Sequence, residues 1–91
     1  MFGPAQHLLD LQSVVVEAGG PGEWIVGASA GGRRLHVYCV APDDWLVSEV
    51  GLGNEGRGTD LARALGALAG TRPPRDWWRL VPAALEAAIR H

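Results

Sequence analysis

Gly51-Leu52-Gly53-Asn54-Glu55-Gly56-Arg57-Gly58-Thr59-Asp60 is the stretch whose reading decides how the chain is put together. It holds four of the thirteen glycines, follows the β-rich run 44–50, and precedes a run with helical periodicity. Gly51, Gly53 and Gly56 spell G-x-G-x-x-G. A dinucleotide site built on that pattern needs a tight turn after a strand, backbone close to a pyrophosphate, and a helix N-terminus facing the anion. It also needs a second parallel strand after the helix, with an acidic residue about 20 positions on. Here no strand follows, and the corresponding region reads Leu80-Val81-Pro82. A Walker-type loop fails too, because Arg57 replaces the lysine and Gly58 displaces the hydroxyl residue. The stretch therefore reads as a joint, with glycine supplying φ freedom where the chain leaves a strand for the covered face of a sheet. A looser anion site remains, in which the backbone of Gly56, Gly58 and Thr59, with Arg57, faces the positive end of the following helix.

Towards the N-terminus from this joint, Pro42-Asp43-Asp44 is turn chemistry, and Trp45-Leu46-Val47-Ser48-Glu49-Val50 predicts a strand. Runs 23–29 and 33–40 flank Ala30-Gly31-Gly32 and predict a hairpin. In its second arm Leu35, Val37 and Cys39 point one way, while Arg34, His36 and Tyr38 point the other. One face is core and one is wet, as in an antiparallel sheet covered on a single side. Ser13-Val14-Val15-Val16-Glu17, stopped by Gly19-Gly20-Pro21-Gly22, predicts a first strand over 12–18. Pro4 and Leu8, Leu9 and Leu11 predict a short helix over 4–11.

Towards the C-terminus, Leu61, Ala64, Leu65, Leu68 and Ala69 recur at helical spacing and predict a helix over 60–69, with Thr59 as N-cap and Gly70 at its exit. Thr71-Arg72-Pro73-Pro74 breaks it. Val81, Ala84, Leu85, Ala88 and Ile89 predict a second helix, with Pro82 in its first turn. The expected architecture is one small α+β domain over 1–91: a four-stranded antiparallel meander, a short N-terminal helix, and two C-terminal helices packed on one face.

Composition narrows the function. The chain has 91 residues, 47% of them apolar, and no run of 18 apolar residues to form a membrane span. Cys39 is alone, which fits a reducing cytoplasm. All eight basic residues are Arg, a pattern that fits high-GC coding better than selection for arginine chemistry. Net charge is −2, with acidic residues towards the N-terminus and arginines towards the C-terminus. That gradient can steer association but is no footprint for DNA. His36 and Cys39 lie on opposite faces of one strand and form no nucleophile pair, Asp43-Asp44 are turn residues, and no metal-ligand spacing occurs. The sequence implies no catalytic residue, cofactor or metal. Adjacent Trp77 and Trp78 cannot both face inward on a helix, which leaves a Trp for an interface. Arg34, His36 and Tyr38 on the wet sheet face are further interface candidates. The leading expectation is a cytoplasmic, non-enzymatic interaction module that forms a homodimer or meets another protein. Binding of a small anion by loop 51–60, and of single-stranded nucleic acid by the open sheet face, are the alternatives.

Overall fold

Gly-rich punctuation divides the chain into short β segments, and in the computed structural model, which describes residues 13–71 and 75–90, five of them form one antiparallel meander. The strands are β1 Val14–Ala18, β2 Glu23–Ala28, β3 Leu35–Ala41, β4 Asp44–Glu49 and β5 Glu55–Gly58, hydrogen-bonded in the order β1-β2-β3-β4-β5. Helix α1 spans Leu61–Ala69, a 3-10 helix spans Asp76–Leu80, and α2 spans Val81–Ile89. The predicted helix over 4–11 lies outside the described residues.

Strand register separates the two faces. Val16 pairs with Val26, Val26 with Leu35, Leu35 with Glu49, and Val37 with Val47, so these side chains share one face. Val26, Leu35, Val37 and Val47 are fully buried there. Val14, Leu61, Ala64, Leu65, Leu68, Trp78, Val81, Ala84 and Leu85 complete the core. Each buried Val or Leu side chain contributes about 1.5–3 kcal/mol by leaving water. Leu35 and Val37 face inward as their alternation predicts. Cys39 shares that face but is only half-buried, where the β3–β4 register shifts.

The sequence expectation of four strands is corrected to five. Positions 55–58 are a strand, and the connection from β4 runs through Gly51 and Gly53, whose φ values of 88° and 76° are left-handed. Glycine is therefore needed for φ freedom at those two positions. Gly56 and Gly58 have a different reason. They pair with Val47 and Trp45 and so face the core side, where α1 lies directly on them. A Cβ on Gly56 would stand 2.3 Å from both the Ala64 carbonyl oxygen and the Leu68 nitrogen, and one on Gly58 would stand 2.7 Å from the Ala64 nitrogen. The glycines of β5 are a bare surface for a helix backbone.

The helix layout also departs from expectation. A 3-10 helix precedes α2, and the two α-helices sit over opposite margins of the sheet, α1 on β5 and β4, α2 on β1. Asp60, not Thr59, caps α1. Its backbone is extended, and its Oδ1 accepts the Arg63 amide at 2.8 Å. Gly70 is right-handed (φ −70°), so the helix exit uses no left-handed glycine. Pro82 sits in the first turn of α2, where its missing N–H removes no intrahelical bond.

The two kinds of glycine should separate on substitution. Gly56→Ala, which drives a methyl into the backbone of α1, is expected to destabilise by about 3 kcal/mol, at or beyond the usual overpacking range. Gly53→Ala, with open space around its Cβ, carries only the left-handed penalty of about 1 kcal/mol. Urea unfolding of the two variants measures the difference, and equal losses would contradict the close-approach account.

Candidate interaction surface

The uncovered sheet face is built by the residues that alternate with the core. Glu17, Ile25, His36, Ser48 and Glu55 form one cross-strand row, and Glu23, Tyr38, Leu46 and Arg57 form the next. His36 stands at the centre. Its Nε2 lies 2.8 Å from Glu23 Oε1, and its Nδ1 lies 2.9 Å from the Tyr38 hydroxyl. The His36 and Tyr38 rings stack with centroids 4.1 Å apart. An ionised carboxylate only accepts, so in the neutral ring Nε2 carries the proton and Nδ1 accepts from Tyr38. Every member then has a partner, and the two rings are held against each other. Arg34 is exposed, and its methylenes lie across Gly27, where a Cβ would come within 2.8 Å of Arg34 Cγ.

At the β5 margin Asp44 and Arg57 make a bidentate pair. Arg57 Nε donates to Asp44 Oδ1 at 2.8 Å, and Nη2 donates to Oδ2. The guanidinium hydrogen bond, reinforced by its charge, holds the Asp44 carboxyl below the usual carboxylate range and raises Arg57. The four residues suggested for an anion site do not converge. Arg57 points to the open face and is held by Asp44, Gly56 and Gly58 face α1, and Thr59 is exposed between β5 and the α1 cap. The open face carries Glu17, Glu23, Asp44 and Glu55 against Arg34 and Arg57, so it offers no basic track to a phosphate backbone.

Of the two neighbouring tryptophans, Trp78 is in the core and Trp77 is half-buried against it, their rings edge-on at 81°. Trp24 and Trp45 are on the covered face with ring centroids 6.1 Å apart and planes 18° from parallel.

One surface escapes the sequence reading altogether. Between α1 and α2 runs a furrow with two adjoining hollows of about 480 and 430 Å³. The first is lined by Trp45, Leu61, Pro82, Leu85 and Ile89, the second by Leu65, Gly66, Ala69, Trp78 and Pro82, and Ala62 and Pro82 belong to both. Charges stand only at its ends: Asp60, Glu86 and Arg90 at one, Arg75, Asp76 and Arg79 at the other. Ile89 protrudes beside the first hollow, 54% exposed. Helical periodicity marked Ile89 as inward-facing. It sits on the last turn of α2 and is more than half exposed there.

Comparison with known proteins returns no matching family model, curated protein or solved structure. Among the described residues no cluster of His, Cys, Asp and Glu is suited to a metal ion, and no helix is long and apolar enough to cross a membrane.

Two measurements check the polar geometry. In ¹⁵N NMR at a pH where His36 is neutral, its proton should reside on Nε2, and Glu23→Gln should perturb that signal while Glu17→Gln leaves it alone. Asp44, whose folded pKa is depressed, contributes stability that is present above its unfolded pKa and lost as pH falls through the folded value. Carboxyl titration should therefore find Asp44 below the ordinary aspartate value, and Arg57→Gln should return it there.

Proposed function

We propose that this protein is a non-enzymatic interaction module that associates with a second copy of itself. It would act in the cytoplasm, where the lone Cys39 stays reduced. The observation that carries this reading is the furrow between α1 and α2. It consists of two adjoining, mostly apolar hollows on the helical side of a small chain, sharing Ala62 and Pro82, bordered by an exposed isoleucine and charged only at the ends. Exposed apolar patches of this kind mark association sites in small proteins. A core built by 91 residues also gives modest stability, which burial of a second apolar surface raises.

The furrow supports self-association more strongly than the open sheet face does. On that face the central side chains are already satisfied by one another, through Glu23, His36 and Tyr38. Apolar exposure there is confined to separate side chains such as Val15, whose partner across the strands is Gly27. Alternatives that need a phosphate ligand are less well served, since Arg57 is engaged by Asp44 and the open face has an acidic excess.

Sedimentation equilibrium over micromolar concentrations should give a mass near twice the 9.6 kDa of the chain. A single 9.6 kDa species throughout that range would overturn the reading.

A further inference from the structure

The furrow is asymmetric along its length, and its asymmetry is self-complementary. At the α1 N-terminal end the charges are Asp60, Glu86 and Arg90; Glu86 is bonded to Arg90 at 2.6 Å, and Asp60 lies 3.5 Å from Arg63. At the opposite end Arg75 and Arg79 are exposed around Asp76, and neither makes an ion pair among the described residues. One end therefore carries two arginines with unused charge, and the other carries two carboxylates, each shared with a single solvent-facing arginine. The waist between the hollows is made by Ala62 and Pro82, two small side chains that allow another surface to come close.

Ile89 belongs to the carboxylate end and stands out from it. The hollow at the other end has buried Leu65 and Trp78 at its base and Gly66 and Ala69 on its α1 side, where a Cβ on Gly66 would meet nothing within 4 Å. An exposed aliphatic side chain and a shallow hollow with small residues along its α1 side thus lie on either side of the waist of one surface. A single chain cannot join them. Two chains related by a two-fold axis through the waist can, because that operation exchanges the ends.

We infer that two copies pack furrow to furrow about a two-fold axis through Ala62 and Pro82, with Ile89 of each inserted at Gly66 and Ala69 of the other and Glu86 of each facing Arg79 of the other. This rests on the self-association reading above and adds the surface, the register and the pairing. The contact is isologous, so every substitution acts twice and its effect on the dimer constant is squared relative to a single contact. The apolar waist and the two isoleucine insertions supply affinity, while the charged ends set the orientation. The partner is a second copy rather than an unrelated helix, because both the knob and the hole, and both signs of charge, are found on the same chain in the positions that a two-fold axis requires.

The test is sedimentation equilibrium on the full chain, with circular dichroism to confirm that each variant folds. Ile89→Asp changes an exposed position and should weaken dimerisation by at least about tenfold, as loss of a central interface anchor does. Gly66→Gln, which fills the hole without touching Ile89, should weaken it similarly. Arg79→Glu and Glu86→Arg should each weaken the dimer, and the double variant should recover most of the loss. Val15→Asp, on the open sheet face, is the control and should leave the dimer constant unchanged. If the wild-type chain is a monomer, both the self-association reading and this geometry fail. If it dimerises but Ile89→Asp and Gly66→Gln have no effect, self-association stands and the furrow is overturned as its surface. If those two act and the double charge variant recovers nothing, the exchange of ends is overturned.

Discussion

The contact on which the rest of the structure depends is the approach of α1 to the backbone of β5. A helix normally rests on side chains, which hold its backbone away from the sheet beneath. At Gly56 and Gly58 there are no side chains, and carbonyl and amide groups of α1 occupy the space where Cβ atoms would be. This draws α1 down onto the sheet margin and fixes it over β5 and β4. Asp60 sets the starting angle by capping the helix directly after β5, with one residue between strand and cap. Both ends of α1 are consequently tied to this margin: Asp60 at the start, and at the exit Asn54, whose amide nitrogen reaches both Glu49 at the end of β4 and Thr71 past the end of α1.

That contact explains what was legible in the sequence and what was not. The strands β1 to β4 carry mostly apolar side chains on the core face, buried Glu49 excepted, and are rich in branched or aromatic residues, so period-two patterning exposes them. Helices α1 and α2 show the 3.6 period plainly. Glu55-Gly56-Arg57-Gly58 also alternates, but between charge and glycine. Its buried side is filled by the backbone of another element, so no hydrophobic signal is written at those positions. The same reason hides the purpose of the glycines, since a demand for φ freedom and a demand for close approach look identical in a sequence. The cap was misplaced by one residue because Thr59 and Asp60 are both good caps, and only the end of β5 decides between them. The tryptophan pair was readable in part: the 100° step on a helix requires one to turn away, but which one depends on the core below the 3-10 helix.

The open face shows that a polar surface on a sheet can be internally complete. Glu23, His36 and Tyr38 satisfy one another across two strands, and Asp44 and Arg57 do so across the next pair. Such pairs add little stability individually. Their stronger effect is on availability, because a side chain committed to a neighbour must be freed before it can meet a ligand. Of the residues the sequence marks as an interface and as an anion site, His36, Tyr38 and Arg57 are for that reason already engaged. The furrow, apolar along its middle and charged only at its ends, is lined by residues from separate elements and cannot be recognised until the helices are placed.

The furrow itself follows from the fifth strand. Neighbouring strands are about 4.8 Å apart, so a helix fixed over the β4–β5 margin and another over β1 are separated by more than two strand spacings. Packed helices prefer axes roughly 8–10 Å apart. On a four-stranded sheet, α1 would have rested nearer the middle and met α2 along its side. Adding Glu55-Gly56-Arg57-Gly58 widens the sheet by one strand, and the two glycines hold α1 to that strand instead of letting it slide inward. Side chains such as Leu65, Leu85 and Trp78 bridge the gap well enough to bury the sheet beneath, where Val26, Leu35, Val37 and Val47 are fully covered, but not well enough to close the surface above. The glycine-rich stretch thus acts at a distance: it binds nothing in the furrow, yet without its close approach there would be no furrow to fill.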